Sequence, residues 1–274
     1  MTRHCLLPDR SVFGISGPDA KNFLQDLTTN NLDLLSPTRV IYTCLLTPQG
    51  KFLFDFFLLQ HEDMYLVDCD KAAAPQLLKR LMFYKLRAAV DLTAPDQSWS
   101  VGAVLDGEGN ASPGTATEFC GGLRYQDPRL AAMGERFVVP SARAEEALRD
   151  LAGEPTEAGL YDQHRLALGV PGADDLVPEK TFPMEANLDL LHAIDFQKGC
   201  FVGQEVTSRT YRQGKVRKRI LPINTAEKAL PTAGTPVMAG DRQAGELLSA
   251  RGSIGLALLR LDRLDGPLDV NGLD

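Results

Sequence analysis

Residues 198–205, KGCFVGQE, hold the cysteine best set up for reactivity in this chain. Cys200 stands between Gly199 and Gly203, glycines that permit backbone angles closed to other residues and let a partner approach the main chain. The stretch 203–213, GQEVTSRTYRQ, reads as a helix that opens with Gln204 and Glu205. The thiol therefore falls just before a helix N-terminus, with Lys198 two positions away. A helix start and a nearby cation both favour thiolate over thiol. Thiolate is the form that attacks electrophiles or ligates soft metals. The same spacing also suits an inert cysteine chosen for its volume in a tight turn. Spacing alone leaves both readings open.

Downstream, the 22 residues from Lys198 to Arg219 hold seven basic residues and one acid, in a chain of net charge −7. Arg209, Arg212, Lys215, Arg217, Lys218 and Arg219 would make a solvated face in the bland reading. Beside a reactive cysteine they would attract an anion, either an acidic protein surface or a polyanionic small molecule. The other four cysteines, Cys5, Cys44, Cys69 and Cys120, lie in apolar strand contexts or near the terminus and read as packing residues. No CxxC pair occurs, which suits a reducing compartment and offers no self-contained zinc site. His61, His164 and His192 are scattered and read as surface or helix-packing residues. The GEGNASPG loop at 107–114 reads as a flexible turn, since no lysine or strand-to-helix context makes it a phosphate cradle.

These groups need a scaffold, and the patterning supplies one. SVFGIS predicts a short strand, and SGPDAKNFLQDL a helix with Ala20, Phe23, Leu24 and Leu27 at helical spacing. RVIYTCLL, KFLFDFFLL and MYLVDC predict three strands joined by hairpin-length turns. APQLLKRLMFYKL is helical, and RAAVDLT again a strand. That order is an α+β sandwich with helices on one face of an antiparallel sheet. Residues 98–152 repeat the texture more briefly, with Trp99 in a strand and a helix over SARAEEALRDLAG. A helix over 158–170 is stopped by Pro171, and 171–190 reads as an extended loop. After Gly214 short strands alternate with Gly/Pro turns, the texture of a small β-barrel.

At 274 residues the chain is long enough for two or three subdomains. An apolar share of 44% and a charged share of 24% describe a folded globular chain. The acidic balance argues against nucleic acid as a partner. No apolar run reaches bilayer-crossing length, so no membrane partner is expected. The N-terminus shows no apolar stretch with a small-residue cleavage site, and a cytoplasmic location is expected.

KGCFVGQE resembles the signature K-G-C-[FY]-x-G-Q-E of the YgfZ-type folate-binding proteins, relatives of the glycine-cleavage T-protein, an aminomethyltransferase. GPDAKNFLQDLTTNNL, LLTPQGKFLFD, QDPRLAAMG, HRLALGVP and FPMEANLDLLHAIDFQKGC resemble further family blocks in the family's order. The wording around DPRLAAMG and TSRTYRQGKVRKR is most similar to the branch with mitochondrial iron–sulfur assembly factors. The resemblance implies a three-lobed ring: 1–97 with 153–213 as a ferredoxin-like, folate-binding α+β lobe, 98–152 as a second, and 214–274 as a C-terminal β-barrel. It implies tetrahydrofolate as ligand, with Glu185, Asn187 and Arg165 as contacts. A carboxylate such as Glu185 can accept from the paired amino and ring N–H groups of a pterin. The T-protein pattern G-x-x-x-D-D appears here with Phe54 and Asp55, so one of two acids is missing and aminomethyl transfer is placed in doubt. The function implied is an accessory factor in iron–sulfur cluster assembly or repair. Cys200 would be a ligand to a cluster shared with an A-type carrier or client enzyme, or would exchange with a partner's thiol, the partner docking on Arg209, Arg212, Lys215 and Arg217. The alternatives are a folate-dependent transferase working through Asp55, and a folate-binding regulator without chemistry.

Overall fold

The run Ile41–Leu46 is buried along its whole length, as befits a strand lying between two packed layers. Tyr42 and Cys44 face a second sheet, while Ile41 and Leu45 face helices. Leu46 keeps the alternation and faces the inter-sheet side, and the register shift beside it leaves Leu53 of the partner strand as the extra residue. The chain is seen here as a computed structural model that describes residues 2–107, 111–214, 216–225 and 228–273.

The first sheet runs Ile41–Leu46, Phe52–His61, Met64–Asp70, Arg10–Ser16, Asp91–Leu92, antiparallel throughout. Helices α1 (Ala20–Leu27) and α2 (Ala74–Lys85) close its outer face through Phe23, Leu24, Leu27, Leu77 and Leu81. The second sheet runs Glu154–Pro155, Arg3–Leu6, Trp99–Leu105, Glu135–Pro140, Gly122–Gln126, Ala116–Phe119. Helix α3 (Ala144–Asp150) covers its outer side, with Ala147 in one cluster with Val104, Phe137 and Val139. Between the sheets Tyr42, Phe57 and Leu59 share a core with Val101, Ala103, Tyr125 and Val138. Helices α4 (Ala158–Ala167) and α5 (Gln204–Gln213) lead to the last sheet. Its order is Lys218–Asn224, Ile254–Arg260, Arg242–Arg251, Pro236–Ala239, enclosing Leu230, Val237, Leu247 and Leu259.

Some elements differ from the sequence-based expectation. Arg3–Leu6 is a strand that pairs with Trp99–Leu105 and, in parallel, with Glu154–Pro155. The second sheet's hydrogen-bonded unit thus reaches past 98–152 on both sides. Of RAAVDLT only Asp91–Leu92 pairs. Residues 171–190 hold one short 3-10 turn at Ala173–Asp175 and a succession of tight turns rather than an extended loop. The tip of the 107–114 loop, residues 108–110, lies outside the described residues.

Candidate functional site around Cys200 and the inter-lobe cavities

Beneath Cys200 two loops are bolted together. Thr29 Oγ1 donates to the Ala193 carbonyl at 2.6 Å, and Asn30 Nδ2 donates to the carbonyls of His192 at 2.7 Å and Tyr42 at 2.8 Å. The Asp195 N–H donates to the Thr29 carbonyl at 3.0 Å. Lys198 completes the joint. Its ammonium donates to the carbonyls of Gln25 at 2.5 Å, Asn30 at 3.0 Å and Thr28. These lie at the C-terminal end of α1, where the helix dipole also favours a cation. Burial pushes the Lys198 pKa down to about 8, against the opposing pull of Asp195 and Asp26. The expectation that Lys198 serves the thiol is therefore corrected: its ammonium is committed to backbone carbonyls, and it lies over the Phe201 ring at 5.4 Å.

Past this joint Gly199, at φ +97°, turns the chain, and Cys200 is exposed. Cys5, Cys44 and Cys69 are buried, and burial pushes their thiols up to about 11, 12 and 12. Cys120 is partly exposed, its pKa raised by burial and by Glu146 and Asp150. Gly203 (φ +84°) precedes α5, and a Cβ there would lie 2.5 Å from the Thr47 carbonyl oxygen. Gly50, in the opposing turn, has φ +72°, and its Cβ would sit 3.0 Å from that of Val206. The two glycines let the 47–50 turn and the start of α5 touch main chain to main chain. Gln204 lies half-buried in the first turn of α5, and exposed Glu205 pairs with exposed Arg209 at 2.6 Å. Such surface pairs contribute little. Arg212 and Arg217 are exposed and have no acidic partner among the described residues; Lys215 lies outside them. Arg219 turns inward, onto Asp189 at 2.7 and 2.9 Å and the Met184 carbonyl at 2.8 Å.

The acids and amides that the resemblance groups together are split between cavities. Asp55 and Arg165 line a cavity of about 460 Å³ with Arg10, Phe57, Arg129 and Arg136, and with Lys71 and Arg251 as exposed members of its wall. The Tyr42 hydroxyl donates to Asp55 Oδ2 at 2.9 Å. Arg165 is buried and held by Asp162 at 2.9 Å and Asp175 at 2.8 Å, which corrects its expected reach to a glutamate tail. Glu185 lines a different slot of about 190 Å³ with Gly50, Phe182 and Val206. Burial raises its pKa against the opposing charge of Lys218. Asn187 is buried and donates Nδ2 to the Ile220 carbonyl at 2.6 Å, fastening the last sheet instead of facing a ligand. Cys200 lines none of these cavities. A third cavity, about 720 Å³, takes its wall partly from the neighbouring Phe196 and Gln197, with Tyr211 stacked on Phe196 at 3.8 Å.

Sequence reasoning missed the charged centre between the sheets. Asp68 accepts from Arg10 and Arg136 at 2.7 Å each, and Arg136 and Arg129 donate to the Tyr161 hydroxyl at 2.9 and 2.8 Å. Arg129 also forks onto Asp127. The guanidiniums of Arg136, Arg129 and Arg10 lie 4.3, 5.0 and 5.5 Å from the centre of the Phe57 ring. Burial would raise the Asp68 carboxyl, but Arg10 and Arg136 outweigh it and hold it below the usual range. A signal was available. Arg136 shares the inward alternation of Val138 in ERFVVP, where a charge needs a buried partner.

Comparison with known proteins bears on these placements. Residues 4–107 match the GCVT N-terminal domain, and 217–274 match the C-terminal beta-barrel domain of CAF17. The chain is 33% identical to the human mitochondrial iron–sulfur cluster assembly factor IBA57, over 96% of this chain and 79% of the relative. It is 33% identical to the Coccidioides immitis homologue, over 95% and 72%, and 31% identical to the mouse protein, over 96% and 79%. The fold is similar to that of glycine cleavage system aminomethyltransferase T from Bartonella henselae, with a TM-score of 0.75 at 15% identity, covering 95% of this chain and 79% of that one. The α+β architecture with a C-terminal β domain is thereby shown. The expectation of a cytoplasmic location is overturned, because these curated relatives are mitochondrial proteins.

Proposed function

This chain belongs to the IBA57 family of iron–sulfur cluster assembly factors, and on that premise we propose that it offers the Cys200 thiol to a cluster held jointly with a partner protein. The observation that carries this reading is contrast in exposure. Cys200 is the one exposed cysteine, and three of the other four are buried with raised pKa values. A single cysteine cannot hold a cluster, which usually takes four ligands, so a partner supplies the rest. An A-type carrier or a client iron–sulfur enzyme has that role, docked through the unpaired Arg212 and Arg217. The cluster is cargo here, and the fixed joint under Lys198 holds the donor in one place.

Anaerobic reconstitution with iron and sulfide, with and without an A-type carrier, tests the reading. The mixture gains a cluster spectrum and a stable complex, and Cys200→Ser loses both. An unchanged spectrum and complex in that variant would sink it.

Tetrahydrofolate fits the cavity that contains Asp55. Its volume falls in the range of small-molecule sites, Asp55 keeps one oxygen free of protein donors among the described residues, and Lys71 and Arg251 supply cations for a carboxylate tail. Glu185 opens elsewhere and is not part of this site. Calorimetric titration with tetrahydrofolate is then weakened about tenfold by Asp55→Asn and unaffected by Glu185→Gln; the reverse pattern moves the ligand to the Glu185 slot. An aminomethyltransferase reading has less support, because Phe54 replaces one acid and Tyr42 occupies an oxygen of the other.

A further inference from the structure

In a chain of net charge −7, the stretch Lys71–Val90 carries five cations and no acid. Helix α2 takes up most of it and buries Ala74, Leu77 and Leu81 in the first lobe. Lys79, Met82 and Phe83 recur at spacings of three and four and so share a face turned away from that core. Met82, Phe83 and Leu86 are 60%, 71% and 87% exposed. Leu86 follows the helix at φ +44°, a conformation unfavourable for a residue with a Cβ. Lys79, Arg80, Lys85 and Arg87 form no ion pair among the described residues.

We propose that this corner of the first lobe docks on the surface of a bilayer bearing anionic lipid. Three large apolar side chains stand free in solvent, and none of residues 74–90 lines a cavity described above. A fluid interface accepts such separate points without a matching shape, whereas a folded partner would have to supply a groove for each. Cations border the apolar points along the chain, Lys79 and Arg80 before them, Lys85 between Phe83 and Leu86, and Arg87 after, and meet headgroup phosphates. Apolar insertion joined to headgroup attraction is the arrangement of proteins that lie on a membrane rather than span it. No helix of the described chain is long and apolar enough to cross. The absence of a spanning segment, from which no membrane partner was expected, does not bear on docking at the surface.

Co-sedimentation of the full chain with phosphatidylcholine vesicles, with and without phosphatidylglycerol, tests the proposal. The chain pellets with the anionic vesicles, is released by salt, and binds about tenfold more weakly as Phe83→Ser/Leu86→Ser. Both positions face solvent, so far-ultraviolet circular dichroism and the thermal melt of that variant stay unchanged. In Phe83→Trp, emission shifts to the blue on adding anionic vesicles and is quenched by brominated lipid. Failure to pellet at low salt overturns the proposal and leaves an acidic protein as the occupant. Equal pelleting with neutral vesicles, or undiminished pelleting of the double variant, overturns it as well.

Discussion

Lys198 shows how a residue in a reactive-looking motif can serve the backbone instead of the nucleophile. Its three carbonyl acceptors belong to the end of α1 and the turn after it. Removing the donor leaves those oxygens without it, so Lys198→Met lowers stability by about 2 kcal/mol in urea titrations. The pH dependence has a definite sign. The folded pKa is depressed to about 8 while the unfolded chain keeps the ordinary value, so between those limits the unfolded state binds more protons. Wild-type stability therefore gains from this group as pH rises from about 8 towards about 10.5. The deficit of the variant widens across that window, and parallel profiles would refute the assignment. The sequence named the residue, but a linear spacing of two from Cys200 could not show that its ammonium turns back towards residues 25–30.

At the scale of elements, the paired glycines fix where α5 starts. Alanine at position 203 would need a left-handed backbone and would press its Cβ onto the Thr47 carbonyl. Gly203→Ala is expected to cost about 2 kcal/mol and to slow carrier-dependent cluster formation, although it leaves the thiol in the sequence. Thermal melts alongside reconstitution check both halves. The helices and most strands were legible from their apolar patterning, a helical period in AKNFLQDL and a near-continuous apolar run in FLFDFFLLQH. Arg3–Leu6 was not, since four residues at a chain end carry too little pattern. Its place between Trp99–Leu105 and Glu154–Pro155 depends on partners about a hundred residues and more away. The cavities were equally hidden. Asp55 and Glu185 stand out as acids in their segments, yet only three-dimensional packing decides that they open into different hollows.

For the whole molecule, the ionic centre links the layers within their shared apolar core. Arg136 comes from the second sheet, Asp68 from the first and Tyr161 from α4, so one guanidinium joins three elements. Arg136→Met leaves Asp68 with Arg10 alone and is expected to destabilise the chain by about 3–5 kcal/mol, as breaking a buried pair does. Chemical denaturation measures it, and a loss under about 1 kcal/mol would mean that the pair is dispensable. The three-lobe outline was legible from texture, whereas this centre was not, because its partners are far apart in sequence.

The spread of one guanidinium over three partners also limits sliding. Two oily layers can creep past one another by a fraction of a residue with small penalty, but Arg136, whose three nitrogens reach Tyr125, Tyr161 and Asp68, loses that alignment at once. The lobes are keyed in a single register, like a dovetail. The hollow beside Asp55, walled in part by Arg10, Arg129 and Arg136, therefore keeps its outline.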